Sequence, residues 1–194
     1  MIYLPGDAKK EITLEIRTVI IDEDDTEDIA EELTRLLAAL SDSDEPLDAK
    51  DLDDIVLPDD RDEINLMTEA YIETDKGGNV VISYVENADD VQMQTDAKII
   101  FHPTSPELIV MSKEGAINTF LSFEEGKTHV CTYETPYMPF RVYVESSLVE
   151  NRLLDRGRLK LNYVLNVNDT PPQQFFIDVK IKDTPEDTLK DILK

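Results

Sequence analysis

The stretch Arg158–Lys182, RLKLNYVLNVNDTPPQQFFIDVKIK, decides the fold of this chain. In its first half, apolar side chains occupy every second position: Leu159, Leu161, Tyr163, Leu165 and Val167. After Pro171-Pro172 the alternation resumes with Phe175, Ile177, Val179 and Ile181. Because successive side chains of a strand point to opposite faces, a period of two predicts two strands, each with one buried face. Antiparallel sheets show this pattern, whereas buried parallel strands read as unbroken apolar runs.

The same alternation runs through most of the preceding chain. It predicts further strands at residues 10–21, 64–74, 80–86, 97–101, 107–112, 116–123, 128–135 and 140–145, with a less regular stretch at 148–154. About ten strands joined mostly by tight turns, with almost no helical crossovers, predict an all-β sandwich or an antiparallel up-and-down barrel. We favour the barrel, because closure removes the edges that so many strands would expose.

An acidic segment interrupts the β pattern after the first strand. Residues 22–63 contain 19 acidic and three basic side chains, a net charge of -16 out of -24 for the chain. A cap at Asp25 or Thr26 and an apolar stripe predict a helix here; the stripe is Ile29, Leu33, Leu36, Leu37 and Leu40. Thr184-Pro185 predicts a short C-terminal helix. We therefore expect one β-barrel domain, residues 1–194, with an acidic helical insertion at 22–63.

The composition limits the partners and the compartment. A net charge of -24 argues against nucleic acid or an anionic membrane as partner, because both attract cationic faces, and it suits a basic protein partner. Cys131 is the only cysteine, so the chain cannot form an internal disulfide and a reducing compartment is expected. The N-terminus lacks the pattern of a signal peptide, and no apolar run is long enough to span a membrane. These features indicate the cytoplasm.

Candidates for catalysis and metal binding are few. His129 and Cys131 share one strand face, but residues two apart in a strand lie about 7 Å apart, beyond direct hydrogen-bond reach. A buried free cysteine is usually a small hydrophobic residue, and His102 is expected in a surface loop. One cysteine and two histidines cannot build a zinc site, and calcium loops started at Asp22 or Asp42 place the wrong residues at the ligand positions. The sequence predicts no enzyme, no metal and no cofactor.

Tyrosines are the more informative set, because most of them lie on or beside predicted strands. Inward-facing aromatic side chains of a barrel either fill its interior, the commoner outcome, or line a cavity for a small ligand. If a cavity exists, alternation selects two groups of lining residues. One strand offers Tyr84 and Glu86, and another offers Tyr133, Thr135 and Tyr137.

From Ile99 onward several short motifs resemble those of a known family. They are Leu108-Ile109-Val110-Met111 leading to Gly115-Ala116-Ile117, Phe123-Glu124-Glu125-Gly126, Tyr133-Glu134-Thr135-Pro136-Tyr137 and Gly157–Tyr163. The chain resembles the YwiB-like family of bacterial domains of unknown function, whose members form a calycin-like, lipocalin-type β-barrel. The family tends to have glycine where Ala70 and Met138 stand, and arginine where this chain has Lys113-Glu114. The resemblance implies a fold and a bacterial cytosolic setting, and it implies no activity or catalytic residue.

Two functions of different classes follow from these patterns. The first is a non-enzymatic barrel that binds a small apolar or amphipathic ligand. The alternative is a protein–protein interaction module that acts through the acidic insertion. An enzyme would need carboxylates brought together across the barrel, and the oligomeric state is left open.

Overall fold

The computed structural model describes residues 9–22, 62–88, 94–167 and 170–182. Within these ranges the elements are β1 (Lys10–Asp22), β2 (Asp62–Thr74), β3 (Val80–Glu86), β4 (Thr95–His102), β5 (Ser105–Glu114), β6 (Asn118–Phe123), β7 (Thr128–Glu134), β8 (Pro139–Arg152), α1 (Leu153–Arg156), β9 (Arg158–Asn166) and β10 (Gln173–Lys182). Each strand pairs antiparallel with the next one, and β1 pairs with β10. The sheet is thus a closed up-and-down barrel, which confirms the predicted fold.

The stretch quoted first forms β9 and β10, and its alternation sets their register. Tyr163 lies opposite Phe175, and Leu159 lies opposite Val179. The inward set of β9 is buried: Leu159, Leu161, Tyr163 and Leu165. Because one residue of slip would turn this whole set to solvent, the apolar pattern fixes the pairing.

The barrel has two ends of different construction. We call the end that carries α1 and the β2–β3 hairpin the closed end. There Leu153 of α1 is fully buried and belongs to the main apolar core. Gly157 ends α1 in the left-handed conformation, with φ of 64°, and its carbonyl oxygen accepts a 2.7 Å hydrogen bond from Ile181 N–H. A residue with a side chain rarely adopts such a φ, so glycine permits the tight return into β9.

Two strands are longer than their patterns predict. The register of β8 against β9 shifts between Ser146 and Leu148, and pairing then continues to Arg152. A second shift after Phe101 lets β5 begin at Ser105 and include Pro106. A bulge absorbs an extra residue and restores the pairing beyond it, so a break in alternation need not end a strand.

Three acidic residues of the predicted insertion lie in strands of the barrel. Asp22 ends β1, and Asp62 and Glu63 begin β2, so these three acids belong to the barrel wall. Glu63 accepts hydrogen bonds of 3.0 and 3.2 Å from the Arg17 guanidinium across the two strands. The remainder, residues 23–61, and the predicted C-terminal helix lie outside the described residues, as does the docking segment of the interaction hypothesis. No helix in the described ranges is long and apolar enough to cross a membrane.

Candidate ligand cavity

The open end, opposite α1, encloses a cavity of about 440 Å³. Its wall is formed by inward-facing side chains of β1, β2, β3, β5, β6, β7, β9 and β10. Ile16, Leu121 and Ile177 contribute buried aliphatic surface, whereas Ile64 near the mouth is 56% exposed. The cavity therefore runs from a solvated mouth to an apolar interior.

Three aromatic rings line the cavity together. The Tyr163 ring contacts Phe123 with centroids 4.8 Å apart at an interplanar angle of 58°. It also stacks on Phe175 with centroids 5.0 Å apart at an angle of 4°. These are favourable tilted and stacked geometries for aromatic pairs, so the three rings support each other. We call Phe123, Tyr163 and Phe175 the aromatic floor.

An ion pair lies in the wall near the mouth. Lys113 Nζ donates a 2.8 Å hydrogen bond to Glu86 Oε2. Lys113 follows the inward-facing Met111 by two residues, and Glu86 follows Tyr84 in the same way, so alternation turns all four side chains inward. Burial raises the pKa of the Tyr84 phenol, and the charge and hydrogen bond of Glu86 raise it further. Tyr84 is therefore a protonated donor held against Glu86.

Two further phenols reach the cavity. Burial raises the pKa of Tyr163, and the neighbouring Tyr133 adds to the increase. Burial also raises the pKa of Tyr133, and the nearby Cys131 contributes a smaller increase. Both hydroxyls consequently carry their protons, and within the described part of the chain neither has a hydrogen-bond partner. They are available to a molecule that occupies the cavity.

The structure brings together three of the five residues proposed from the sequence. Tyr84, Glu86 and Tyr133 line the cavity. Thr135 and Tyr137 do not, because β7 ends at Glu134 and the alternation ends with it. Thr135 Oγ1 instead donates to Met138 O at 2.8 Å in the following turn, and Tyr137 is 95% exposed. Ligand binding by any of these residues stays a prediction.

Other lining residues were not singled out from the sequence. Tyr163 and Phe175 were assigned to the interior without a role, because alternation does not distinguish a filled interior from a hollow one. Lys113 carried a signal that could have been used: it stands two residues after Met111, at an inward position. A charged side chain at an inward position near a strand end indicates a solvated interior or a buried partner.

The other candidate side chains engage different partners. Cys131 Sγ accepts a hydrogen bond of 3.4 Å from Ser122 N–H, and burial raises the pKa of the thiol. His129 Nε2 lies 3.7 Å from Glu124 Oε2. A protonated thiol is a poor nucleophile. His102 ends β4, with Nδ1 2.7 Å from Thr104 Oγ1. Among the described residues, no three His, Cys, Asp or Glu side chains converge as a metal site would require.

These features define an antiparallel β-barrel with a cavity at one end. The family model described as a domain of unknown function (DUF1934) matches residues 54–179, and the chain belongs to this family. The structure is also similar to the crystal structure of the ywiB protein from Bacillus subtilis, with a TM-score of 0.51 at 12% sequence identity. That similarity covers 91% of this chain and 94% of the other, and it shows the fold alone. No curated protein matches the chain.

The comparisons confirm the resemblance to the YwiB-like family and the barrel fold. Neither the description of the family nor the barrel itself indicates a reaction.

Proposed function

We propose that this protein is a non-enzymatic barrel that binds a small amphipathic molecule in the cavity at its open end. The observation that carries the proposal is the cavity itself, about 440 Å³ in volume. Pockets for small molecules typically measure roughly 300–1,000 Å³ and combine an apolar wall with a few oriented polar groups. The aromatic floor and the polar groups near the mouth provide that combination.

The charges of the wall support binding rather than catalysis. Glu86 and Lys113 are bonded to each other, so the pair presents little net charge to an occupant. The phenols of Tyr84, Tyr133 and Tyr163 keep their protons and act as hydrogen-bond donors. General acid–base catalysis favours groups whose pKa lies near the working pH, and the raised pKa of each phenol moves it away from that range.

A fluorescent probe tests this function directly. N-Phenyl-1-naphthylamine is neutral, apolar and small enough for the cavity, and its emission increases in apolar surroundings. We expect it to bind the full chain with one saturable site and a Kd on the order of 10 µM, given the affinity per atom of ligands of this size. The double substitution Thr18→Phe with Thr119→Phe adds bulk to opposite parts of the cavity wall and should weaken binding at least tenfold.

The matched control is Thr132→Phe, which adds the same ring to an exposed position on β7. It should leave the affinity unchanged. Circular dichroism and thermal unfolding of each variant show whether the barrel is intact. Absence of saturable probe binding to the native chain, or equal affinities for the filled and control variants, would contradict the proposal.

A further inference from the structure

Tyr163, a nearly fully buried side chain, contributes its hydroxyl to the cavity wall. The side chain lies on β9 within the aromatic floor and is 4% exposed. None of the described residues hydrogen-bonds this hydroxyl. The hydroxyl opens onto the cavity, so it is free to donate a hydrogen bond to the oxygen of an occupant. The hydroxyl can therefore act as an anchoring point for a molecule inside the cavity.

The chemistry of the anchored group follows from the groups around it. Tyr133, the second lining phenol without a partner in the described chain, lies close enough to Tyr163 to influence its ionisation. Two neighbouring O–H donors favour a hydrogen-bond acceptor between them. The cation that lines the cavity, Lys113, is bonded to Glu86 near the mouth. An anionic acceptor at the floor would be buried without a countercharge, which is costly, so a neutral acceptor fits better.

The shape of the floor indicates the body of the ligand. Tyr163 and Phe175 stack nearly parallel, at an angle of 4°, and Phe123 is tilted against Tyr163. The three rings give the cavity an aromatic wall, and aromatic molecules pair with such rings in offset or tilted arrangements. A flat, rigid ring system also loses less conformational entropy on binding than a flexible chain does.

We infer that the cavity recognises flat aromatic molecules that carry a neutral carbonyl oxygen, inserted carbonyl-first so that the oxygen accepts hydrogen bonds from the Tyr163 and Tyr133 hydroxyls. This inference rests on the proposed function and names its class of ligand. The opposite end of the molecule faces Glu86 and Lys113 at the mouth, where polar substituents remain solvated. Carboxylates of the same size bind more weakly, since they would bury a negative charge at the floor.

Three naphthalenes of similar size form a matched set of probes. The first, 2-acetylnaphthalene, has a neutral carbonyl oxygen; 2-ethylnaphthalene lacks the oxygen; and 2-naphthoate is anionic at neutral pH. Their affinities for the full chain are measured by displacement of N-phenyl-1-naphthylamine and by calorimetry. We expect the ketone to bind about tenfold more tightly than the hydrocarbon, as one satisfied hydrogen bond allows. The carboxylate should bind most weakly.

Tyr163→Phe separates the hydroxyl from the ring, because it keeps the stacked geometry and removes the donor. The advantage of the ketone over the hydrocarbon should fall to about one to twofold in this variant. Tyr133→Phe should remove part of the same advantage. Tyr143→Phe is the matched control, since this tyrosine lies on the outer face of β8 and is 43% exposed, and it should leave all three affinities unchanged.

The outcomes separate the inference from the function on which it rests. If neither the displaced probe nor any naphthalene binds, the proposed function fails. If the hydrocarbon or the carboxylate binds as tightly as the ketone, the cavity binds ligands but the inferred class is wrong. Retention of the full ketone advantage in Tyr163→Phe would likewise overturn the inference, because the hydroxyl would then play no part.

Discussion

The two ends of this barrel are built from the same alternating strands, yet one is filled and the other is hollow. At the closed end, α1 inserts Leu153 into the core beside the aliphatic residues Leu159 and Val179. At the open end, the inward positions carry larger side chains, including Tyr84 and Tyr163, and they still leave about 440 Å³ unfilled. The size of a side chain therefore does not determine whether its end of the barrel is filled.

Geometry explains the difference. The interior width of a barrel is set by the number and tilt of its strands. The closed end is filled because a helical turn between β8 and β9 brings an additional side chain across the opening. Within the described connections of the open end, no comparable element crosses it. Each prediction below tests a part of this contrast between the two ends.

The largest expected effect is the loss of the Leu153 side chain, which we call the plug of the closed end. Leu153→Ala removes a fully buried side chain from a tightly packed site, and we expect the free energy of unfolding to decrease by about 3 kcal/mol. Leu121→Ala makes the same chemical change in the wall of the cavity, where one side of the side chain already lacks packed neighbours. It should cost only about 1–2 kcal/mol, because fewer contacts are lost.

Urea unfolding of both variants measures these losses, and Leu108→Ala serves as the control, because this residue on β5 is partly exposed. The control should change the free energy of unfolding by less than about 1 kcal/mol. Equal losses for Leu153→Ala and Leu121→Ala would show that the two ends are packed alike and would remove the contrast.

The sequence predicts the fold more fully than it predicts the site. The alternation of apolar residues is a local property of the strands, and with the tight turns between about ten such strands it predicted the antiparallel barrel. The cavity depends on volumes contributed by eight strands distant in sequence, which no local period reports. Tyr84, Glu86 and Tyr133 were found because each lies on a regular strand. Thr135 and Tyr137 were misplaced relative to the cavity because the strand ends before them.

A departure of another kind occurs on the outer face of β1. Alternation turns Val19 and Ile21 away from the cavity, and yet both are buried, with Phe176 packed against them. Cross-strand pairing accounts for part of this cluster, since Val19 lies opposite Phe176. A period of two identifies two faces of a strand without showing what covers either of them.

The next effect concerns the turn that positions the plug. An alanine Cβ at Gly157 would lie 3.3 Å from Ile181 Cβ and 3.4 Å from Ile181 O, in a residue with φ of 64°. Gly126 has a similar φ of 73°, but nothing lies within 4 Å of the added atom. We expect Gly126→Ala to cost about 1 kcal/mol from the backbone alone, and Gly157→Ala about 2 kcal/mol, because β10 must also move.

The free energies of unfolding of the two glycine variants are measured by thermal and urea unfolding. Their difference gives the packing contribution at Gly157. If Gly126→Ala costs as much as Gly157→Ala, the return from α1 into β9 is no more tightly packed than an ordinary surface turn. The closed end would then owe its stability to Leu153 and its neighbours rather than to the placement of the helical turn.

The smallest effect concerns the outer face of the closed end, where Arg158 donates hydrogen bonds of 2.9 and 2.6 Å to Asp178 across β9 and β10. Burial alone would raise the pKa of Asp178, but the Arg158 guanidinium outweighs it and holds the pKa below its ordinary value. A depressed pKa in the folded state means that the pair stabilises fully above the unfolded value of about 3.9. This contribution is lost as the pH falls through the folded pKa.

Asp178→Asn should therefore lower the free energy of unfolding by about 1 kcal/mol at pH 7, a figure reduced for the partial exposure of the pair. The difference from the native chain should shrink as the pH falls below about 4, as the native carboxylate takes up its proton. Asp155→Asn, in the exposed pair with Arg152, should cost less than about 0.5 kcal/mol. A constant difference across this pH range would mean that Asp178 stabilises through packing rather than charge. Packing alone would then stabilise the closed end, both in its core and on its outer face.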